Sequence, residues 1–437
     1  MNQRKSYSLP IAMMFALFFM IAFVTGLPAP LGVIVQNQFG ATNFMSTLGF
    51  FANFIAYAFM GIPAGILLQR IGYKKTALAA VVVGFTGVGI QFLSGQVGNF
   101  SVYLAGAFIS GFSMCMLNTV VNPMLNTLGG GGNKGNQLIQ TGGALNSVAA
   151  TMVPVLVGYL MGSTVSERTI EKANPAMFLA MGIFAVVFIV LFIMDIPEPR
   201  LISKVKTKYE HSPLAFRHFL LGAAAIFVYV GVEVGIPHMA FLFMTAVPEE
   251  GGLLIDSTIA GSVVGTYWFL MMIGRFGGAS LGHKISSKTM LTTVSVLGAI
   301  FVVIAILIPL NVTVSMPVFQ SDISFGLAKV PISIMFLIFC GLCTSVMWGG
   351  IYNLAVEGLG KYTESATGLF MVMVSGGGIL PLMMGFIADK STYIASYWVI
   401  FFGFVYMLFY ALVGSKNVNK DIPVAIIIDG EKKEAVI

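Results

Sequence analysis

Continuous apolar runs of about twenty residues or more recur along this chain, near 9–35, 46–69, 76–95, 102–126, 138–162, 176–195, 219–246, 259–281, 289–310, 330–355, 366–388 and 393–413. A helix needs roughly 20 mostly apolar residues to cross the hydrocarbon layer of a bilayer. The runs lack the period-two alternation of a transmembrane β-barrel, so that architecture is disfavoured. Twelve helices of this size use roughly 240 residues, which a chain of 437 holds with room for loops and tails. Charged residues make up only 9% of the chain, against roughly 25% in soluble domains. A chain with so few charges has too little polar surface to face water on all sides, so the expected fold is an all-α membrane protein of twelve transmembrane helices.

Charge placement predicts the orientation. With the N-terminus inside and strict alternation, the outer segments hold only Arg168, Lys172, Lys329 and Lys390, and the other Lys and Arg fall in inner segments. This is the positive-inside pattern, and it puts both termini in the cytoplasm of a multi-pass cell (inner) membrane protein. The net charge of +6 belongs to these anchors and does not point to nucleic acid. Arg4 and Lys5 precede the first run as in a signal peptide, but that run is too long and has no small-residue cleavage site, so it is read as a retained span. Cys115, Cys340 and Cys343 all fall inside spans. The CxxC spacing of the last two has no second ligand pair, so small packing residues are the better reading, with no metal site. No cofactor is implied, and a monomer is expected.

The longest polar stretch between spans, 197–218, separates six spans from six. The expected organisation is an N-terminal bundle at 1–196, a cytoplasmic linker at 197–218, a C-terminal bundle at 219–413 and a cytoplasmic tail at 414–437. The halves echo each other. Ala64-Gly65 with Arg70, Gly72 and Lys74 after span 2 matches Gly278-Ala279 with Lys284 and Lys288 after span 8. Pro154 to Gly158 in span 5 matches Pro381 to Gly385 in span 11. Two similar bundles can rock about a midplane site and expose it to each side in turn. Arg70, Lys74 and Lys75 then read as cations that pair with helix ends and release when the bundles tilt, or as plain topology anchors.

Several segments resemble the major facilitator superfamily, and within it the fucose/glucose-galactose permease branch. The segment from Gly65 to Lys75 looks like the superfamily's loop 2–3 motif, with Gln69 where an Asp is usual, and Gly274-Arg275-Phe276-Gly277 looks like its counterpart after span 8. More specific are Asn118-Thr-Val-Val-Asn122-Pro123, Leu145-Asn146-Ser147, Tyr229-Val-Gly-Val-Glu233, Tyr267-Trp268, Ile351 to Gly360, and Gly376-Gly-Gly-Ile-Leu-Pro381. The resemblance implies two six-helix bundles of the major facilitator fold and the import of a monosaccharide or close derivative. Branch members typically use a proton for this. Proton-coupled fucose permeases carry an Asp in span 1 where this chain has Ala29, and a Glu in span 4 where it has Asn118. Coupling through those two groups is therefore not implied.

The residues themselves suggest where a solute and an ion would bind. A mid-bilayer charge costs roughly 2.5–3.5 kcal/mol on insertion scales, so Glu233, the one carboxylate read as deep in a span, calls for a reason. Pro237 removes the helical bond to the Glu233 carbonyl, leaving an acid, a free carbonyl and nearby His238. This is a candidate coupling site for a proton or sodium ion, or else a buried strut. Gly26, Pro28 and Pro30 predict a break in span 1 that lines a cavity or serves packing. Asn118 and Asn122 share a face of span 4. With Gln140 and Asn146 of span 5 they offer the paired donors and acceptors that suit sugar hydroxyls, or they bond helix to helix. Tyr267, Trp268, Trp348, Tyr352 and Asn353 are candidates to pack on the C–H face of a pyranose, although Trp and Tyr also serve as interfacial anchors.

The run Gly129–Gly132 lacks the residue order and flanking strand of a phosphate loop and reads as a turn. Other readings are an exporter of amphipathic compounds, which the paired asparagines disfavour; a facilitated-diffusion carrier; a channel; and a membrane-embedded enzyme, for which no nucleophile, metal or nucleotide motif is seen.

Overall fold

The computed structural model describes residues 7–26, 43–161, 170–198, 210–246, 248–255, 257–319, 324–424, 426–428 and 431–433. Every expected span has a helical counterpart. Span 1 is Ser8–Gly26, span 4 Phe100–Leu128, span 5 Gly132–Met161, span 6 Ile170–Ile193, span 7 Arg217–Thr245, span 8 Ser257–Leu281 and span 9 Ser287–Leu307. Spans 2 and 3 run together as Asn43–Val97. Span 7 starts at Arg217, two residues before the linker boundary read from sequence. The expected break at Pro28–Pro30, with Ala29, lies outside the described residues, as does half of the 197–218 linker.

Span 5 is full length yet the most polar of these helices. Its Asn136, Gln140 and Ser147 are buried between the bundles, so lipid does not dictate its composition. The last three spans are discontinuous. Span 10 is Ile332–Thr344 and Met347–Val356, span 11 is Thr363–Val372 and Gly376–Lys390 about a single 3-10 turn, and span 12 is Tyr393–Ser396 and Trp398–Phe409. Two hydroxyls bond back to the preceding turn at the span 10 break. Ser345 Oγ donates to the Leu342 carbonyl (2.6 Å) and Thr344 Oγ1 to the Cys340 carbonyl (3.1 Å). Side chains bonded back to the preceding turn in this way compete with the backbone ladder.

An unexpected element joins spans 9 and 10. Strands β1 (Thr313–Phe319) and β2 (Phe325–Pro331) form an antiparallel hairpin, with Thr313 paired to Pro331. Met316, Val318, Ala328 and Val330 are buried, and Ser315, Pro317, Leu327 and Lys329 between them are exposed. This is the alternation of a strand pair covered on one face.

The loop 2–3 motif becomes legible at Gly72, which turns the chain between spans 2 and 3 at φ 82° and ψ 178°. That backbone region is nearly closed to residues with a Cβ, and a Cβ here would meet the Glu198 carboxylate. Glu198 accepts from the backbone N–H of Tyr73 (2.8 Å) and Lys74 (3.2 Å), capping the positive start of span 3. Lys74 Nζ donates to the Met194 carbonyl at the end of span 6 (2.5 Å). In the other half, Lys288 Nζ donates to the Leu412 carbonyl at the end of span 12 (3.1 Å). The duplication seen in sequence is thus a duplicated contact.

Two expectations need correction. Lys74 clasps its own bundle, not the opposite one, and Lys284, matched in sequence to Arg70, is exposed. Arg70 is exposed. Contact across the bundles falls instead to Gly65, where a Cβ would come within 2.9 Å of Gly368 Cα in span 11.

Gly72→Ala forces both the strained φ and the collision with Glu198. It should destabilise the N-terminal bundle by about 1–3 kcal/mol, read as a lower melting temperature of detergent-purified protein. An unchanged melting temperature would count against the strained geometry.

Candidate transport site

A cavity of about 290 Å³ lies between the bundles, close to the lower end of the roughly 300–1,000 Å³ of small-molecule pockets. The N-terminal half contributes Phe18, Ile21, Ala22 and Thr25 of span 1, Phe54 and Tyr57 of span 2, Asn118 of span 4, and Gln140, Gly143, Asn146 and Ser147 of span 5. The C-terminal half contributes Val230, Glu233 and Val234 of span 7, Trp268, Met271 and Arg275 of span 8, Ser345, Trp348 and Gly349 of span 10, and Val374 of span 11. The breaks in spans 10 and 11 sit at the cavity wall, where irregular backbone in a membrane protein can keep its polar groups bonded.

Arg275 is the centre of the polar network. It lies inside the span 8 helix, 9% exposed, and not in a loop beyond it as the motif reading placed it. Its Nη2 pairs with Glu233 Oε1 at 2.9 Å. Its Nη1 donates across the bundle boundary to Ser147 Oγ (2.8 Å), the Gly143 carbonyl (3.2 Å) and Asn146 Oδ1 (3.3 Å). Its Nε donates to the Ser345 carbonyl (3.3 Å), one of the groups freed by the span 10 break. A guanidinium has five N–H donors in a planar fork, and this one reaches five acceptors on three spans. The Glu233 carbonyl freed by Pro237 is not vacant: Tyr267 Oη donates to it (3.1 Å), and Tyr397 Oη donates to the Ile236 carbonyl (3.1 Å). Two tyrosines from neighbouring spans thus pin the kink that presents Glu233 to Arg275.

Below the ion pair, toward the end of the molecule that bears Gly72 and loop 4–5, amides cross the boundary in steps. Gln140 Nε2 donates to the Val346 carbonyl (2.8 Å), Trp348 Nε1 to Asn122 Oδ1 (3.0 Å), and Asn126 Nδ2 to Asn353 Oδ1 (3.1 Å). Asn353 Nδ2 donates onward to Ser287 Oγ (2.9 Å). Asn118, Asn122 and Asn126 stand one helical turn apart on span 4. These hydrogen bonds between the bundles lie at or below the level of Arg275. The cavity is therefore closed at the basic end.

Residues 13–381 match the Major Facilitator Superfamily. The chain belongs to this superfamily. It is 28% identical over 423 residues to the glucose/galactose transporter of Brucella abortus biovar 1 (strain 9-941), covering 95% of this chain and 96% of that protein. It is 25% identical over 417 residues to the L-fucose-proton symporter of Escherichia coli (strain K12), covering 89% of each. Among solved structures, that of the superfamily transporter FucP in the outward conformation superposes with a TM-score of 0.78 at 20% identity, over 94% of this chain and 100% of that one. The fold is therefore the two-bundle fold of the superfamily.

Within that fold, the predicted site residues divide. Asn118, Gln140, Asn146, Trp268, Trp348 and Glu233 line the cavity. Asn118 Nδ2 donates to Tyr57 Oη (3.1 Å), and Asn146 Nδ2 to the Phe18 carbonyl of span 1 (2.9 Å). Asn122 and Asn353 belong instead to the closed floor. Tyr267 supports the kink. Tyr352 is buried with its hydroxyl 2.9 Å from Thr367 Oγ1, and His238 is half-buried away from the wall. Sequence reasoning assigned no binding role to Tyr57, Phe18 or Ser147, although Ser147 stood in the quoted Asn-Ser pair. It also passed over Glu364, buried in the first turn of span 11.

Removing one member of a buried ion pair leaves an uncompensated charge and costs about 3–5 kcal/mol, whereas removing both costs far less. Arg275→Gln alone should therefore lower the melting temperature more than Arg275→Gln combined with Glu233→Gln. Equal melting temperatures for the two variants would refute a coupled pair.

Proposed function

We propose that the chain is a secondary transporter that imports a neutral monosaccharide or close derivative by alternating access across the cell membrane, with both termini cytoplasmic. The observation that carries this reading is the cavity wall. It combines amides from two spans (Asn118, Gln140, Asn146) with two indoles (Trp268, Trp348) around an ion pair whose charges cancel. Amides supply donors and acceptors to hydroxyls, and indole faces pack against the apolar face of a sugar ring. Self-neutralised charge favours an uncharged solute, since an acidic or basic one would have to break the Arg275–Glu233 bond. The named activities of the Brucella and Escherichia coli relatives support a sugar as cargo. With the basic end in the cytoplasm, the floor of amides closes the inward path.

Proton coupling is assigned to Glu233, in place of the acids replaced by Ala29 and Asn118. A proton on Glu233 cancels its attraction for Arg275, so its occupancy changes the polar network at the cavity floor. A sodium ion is the less suited partner, because Glu233 already shares its carboxylate with a guanidinium. A second reading, facilitated diffusion, rests on that same pairing: a permanently ion-paired Glu233 carries no proton.

Uptake by proteoliposomes of D-glucose, D-galactose and L-fucose, under imposed proton or sodium gradients, separates these readings. A proton gradient should drive accumulation of at least one sugar. Glu233→Gln should abolish that accumulation while sparing sugar exchange. Accumulation unchanged in the variant would reject the coupling role. Asn118→Ala should weaken sugar binding roughly 5- to 10-fold, the worth of about one hydrogen bond, and an unaltered binding isotherm would count against the contact.

A further inference from the structure

We infer that Arg275 is a substrate-released latch: it holds the bundles together at the cavity floor until a bound sugar takes its acceptors on span 5. The ion pair with Glu233 lies wholly within the C-terminal bundle, between spans 7 and 8, and is kept when the bundles separate. The three bonds from Nη1 to Gly143, Asn146 and Ser147 all cross to span 5 and must break. Arg275 is a charged side chain whose hydrogen bonds join the two bundles. Hydrogen bonds to a charged donor are the strong ones, so this side chain is the firmest of the cross-boundary ties, and Gln140, Asn122 and Asn126 add neutral ones beneath it.

All three acceptor residues, Gly143, Asn146 and Ser147, line the cavity. A ring of hydroxyls in that cavity competes for them directly. Asn146 is also tied through Nδ2 to the Phe18 carbonyl, so it is held facing the cavity when Arg275 leaves. Once released, Arg275 retains Glu233 and the Ser345 carbonyl as partners in its own bundle and is not left as a bare buried charge. An empty carrier thus stays shut at the basic end, and occupancy of the site opens it. The substrate half of this inference rests on the sugar-carrier reading; the latch half does not.

The test places spin labels at Lys134→Cys in loop 4–5 and Lys284→Cys in loop 8–9. Both positions are exposed, on opposite bundles, at the basic end. The full chain is studied by double electron–electron resonance. Without sugar, the unlatched chain Arg275→Gln with Glu233→Gln should shift toward the long-distance population by roughly tenfold or more in open-to-closed ratio, about the worth of one hydrogen bond to a charged group. Ser147→Ala, which removes the shortest of the three bonds, should shift the same way by less, and it serves if the double variant does not fold. Saturating D-glucose, D-galactose or L-fucose should move the unsubstituted labelled chain in the same direction. Sugar-free distributions unchanged in both variants would overturn the latch. A preparation that transports one of these sugars yet shows no shift with it would overturn the release step. A preparation that transports none, but opens in the variants, would leave the latch standing and overturn the sugar reading.

Discussion

The guanidinium of Arg275 is a cation buried at the boundary of two bundles in a chain that offers little polar surface of any kind. Left alone, such a charge would be expelled from a low-dielectric interior. It stays because spans 5, 7 and 10 all supply oxygen to it: a hydroxyl, a side-chain amide, two backbone carbonyls and one carboxylate. Much of the irregular backbone nearby follows from that need. The break in span 10 frees the Ser345 carbonyl, and the kink at Pro237 carries Glu233 to the right depth. The helix that bears the acceptors, span 5, accepts a polar composition unlike that of its lipid-facing neighbours.

The scaffold around this site is duplicated, whereas the site is not. Lys74 and Lys288 cap the last helix of their own bundles through the same kind of bond. Span 2 meets span 11 through Gly65 and Gly368, and span 8 meets span 5 through Gly282 and Gln137. The cation and its carboxylate, however, come from the C-terminal half alone, and the asparagine ladder from span 4 alone. Unequal decoration gives a single site, with its charges on one bundle and their neutral acceptors on the other.

The spans were legible because lipid imposes a simple rule: about twenty apolar residues, repeated, with cations on one side. Glu233, Asn118 and Asn146 stood out for the same reason, each being a polar group that lipid would reject. What the rule does not encode is which face of a helix looks inward. Asn122 and Asn118 share a face of span 4, yet one forms the floor and the other the wall, because Trp348 reaches the lower amide and leaves the upper one to Tyr57. Tyr352 and Asn353 lie beside a cavity residue in sequence and point elsewhere. The span 10 break was missed because no Pro or Gly marks it; its only trace is the Thr344-Ser345 pair, whose hydroxyls are common in unbroken helices too. Arg275 was read as a loop cation because it follows a glycine near a span's end, and only its depth in the structure shows it to be the centre of the network.

Placing the only Glu–Arg pair of the cavity in the C-terminal half has a mechanical consequence. In a rocking pair of bundles, bonds within a bundle are conserved and bonds across the boundary are exchanged. Glu233 is therefore Arg275's partner in every state, and its protonation changes how strongly Arg275 needs span 5. With Glu233 neutral, the guanidinium has no counter-charge and clings to the acceptors of the other bundle. With Glu233 ionised, it can let them go. A proton alone then favours the shut state, and a sugar on Asn146 and Ser147 favours release. In the proposed proton-coupled cycle, opening with a proton aboard would thus require the sugar as well, which is the condition a symporter needs to avoid leaking protons.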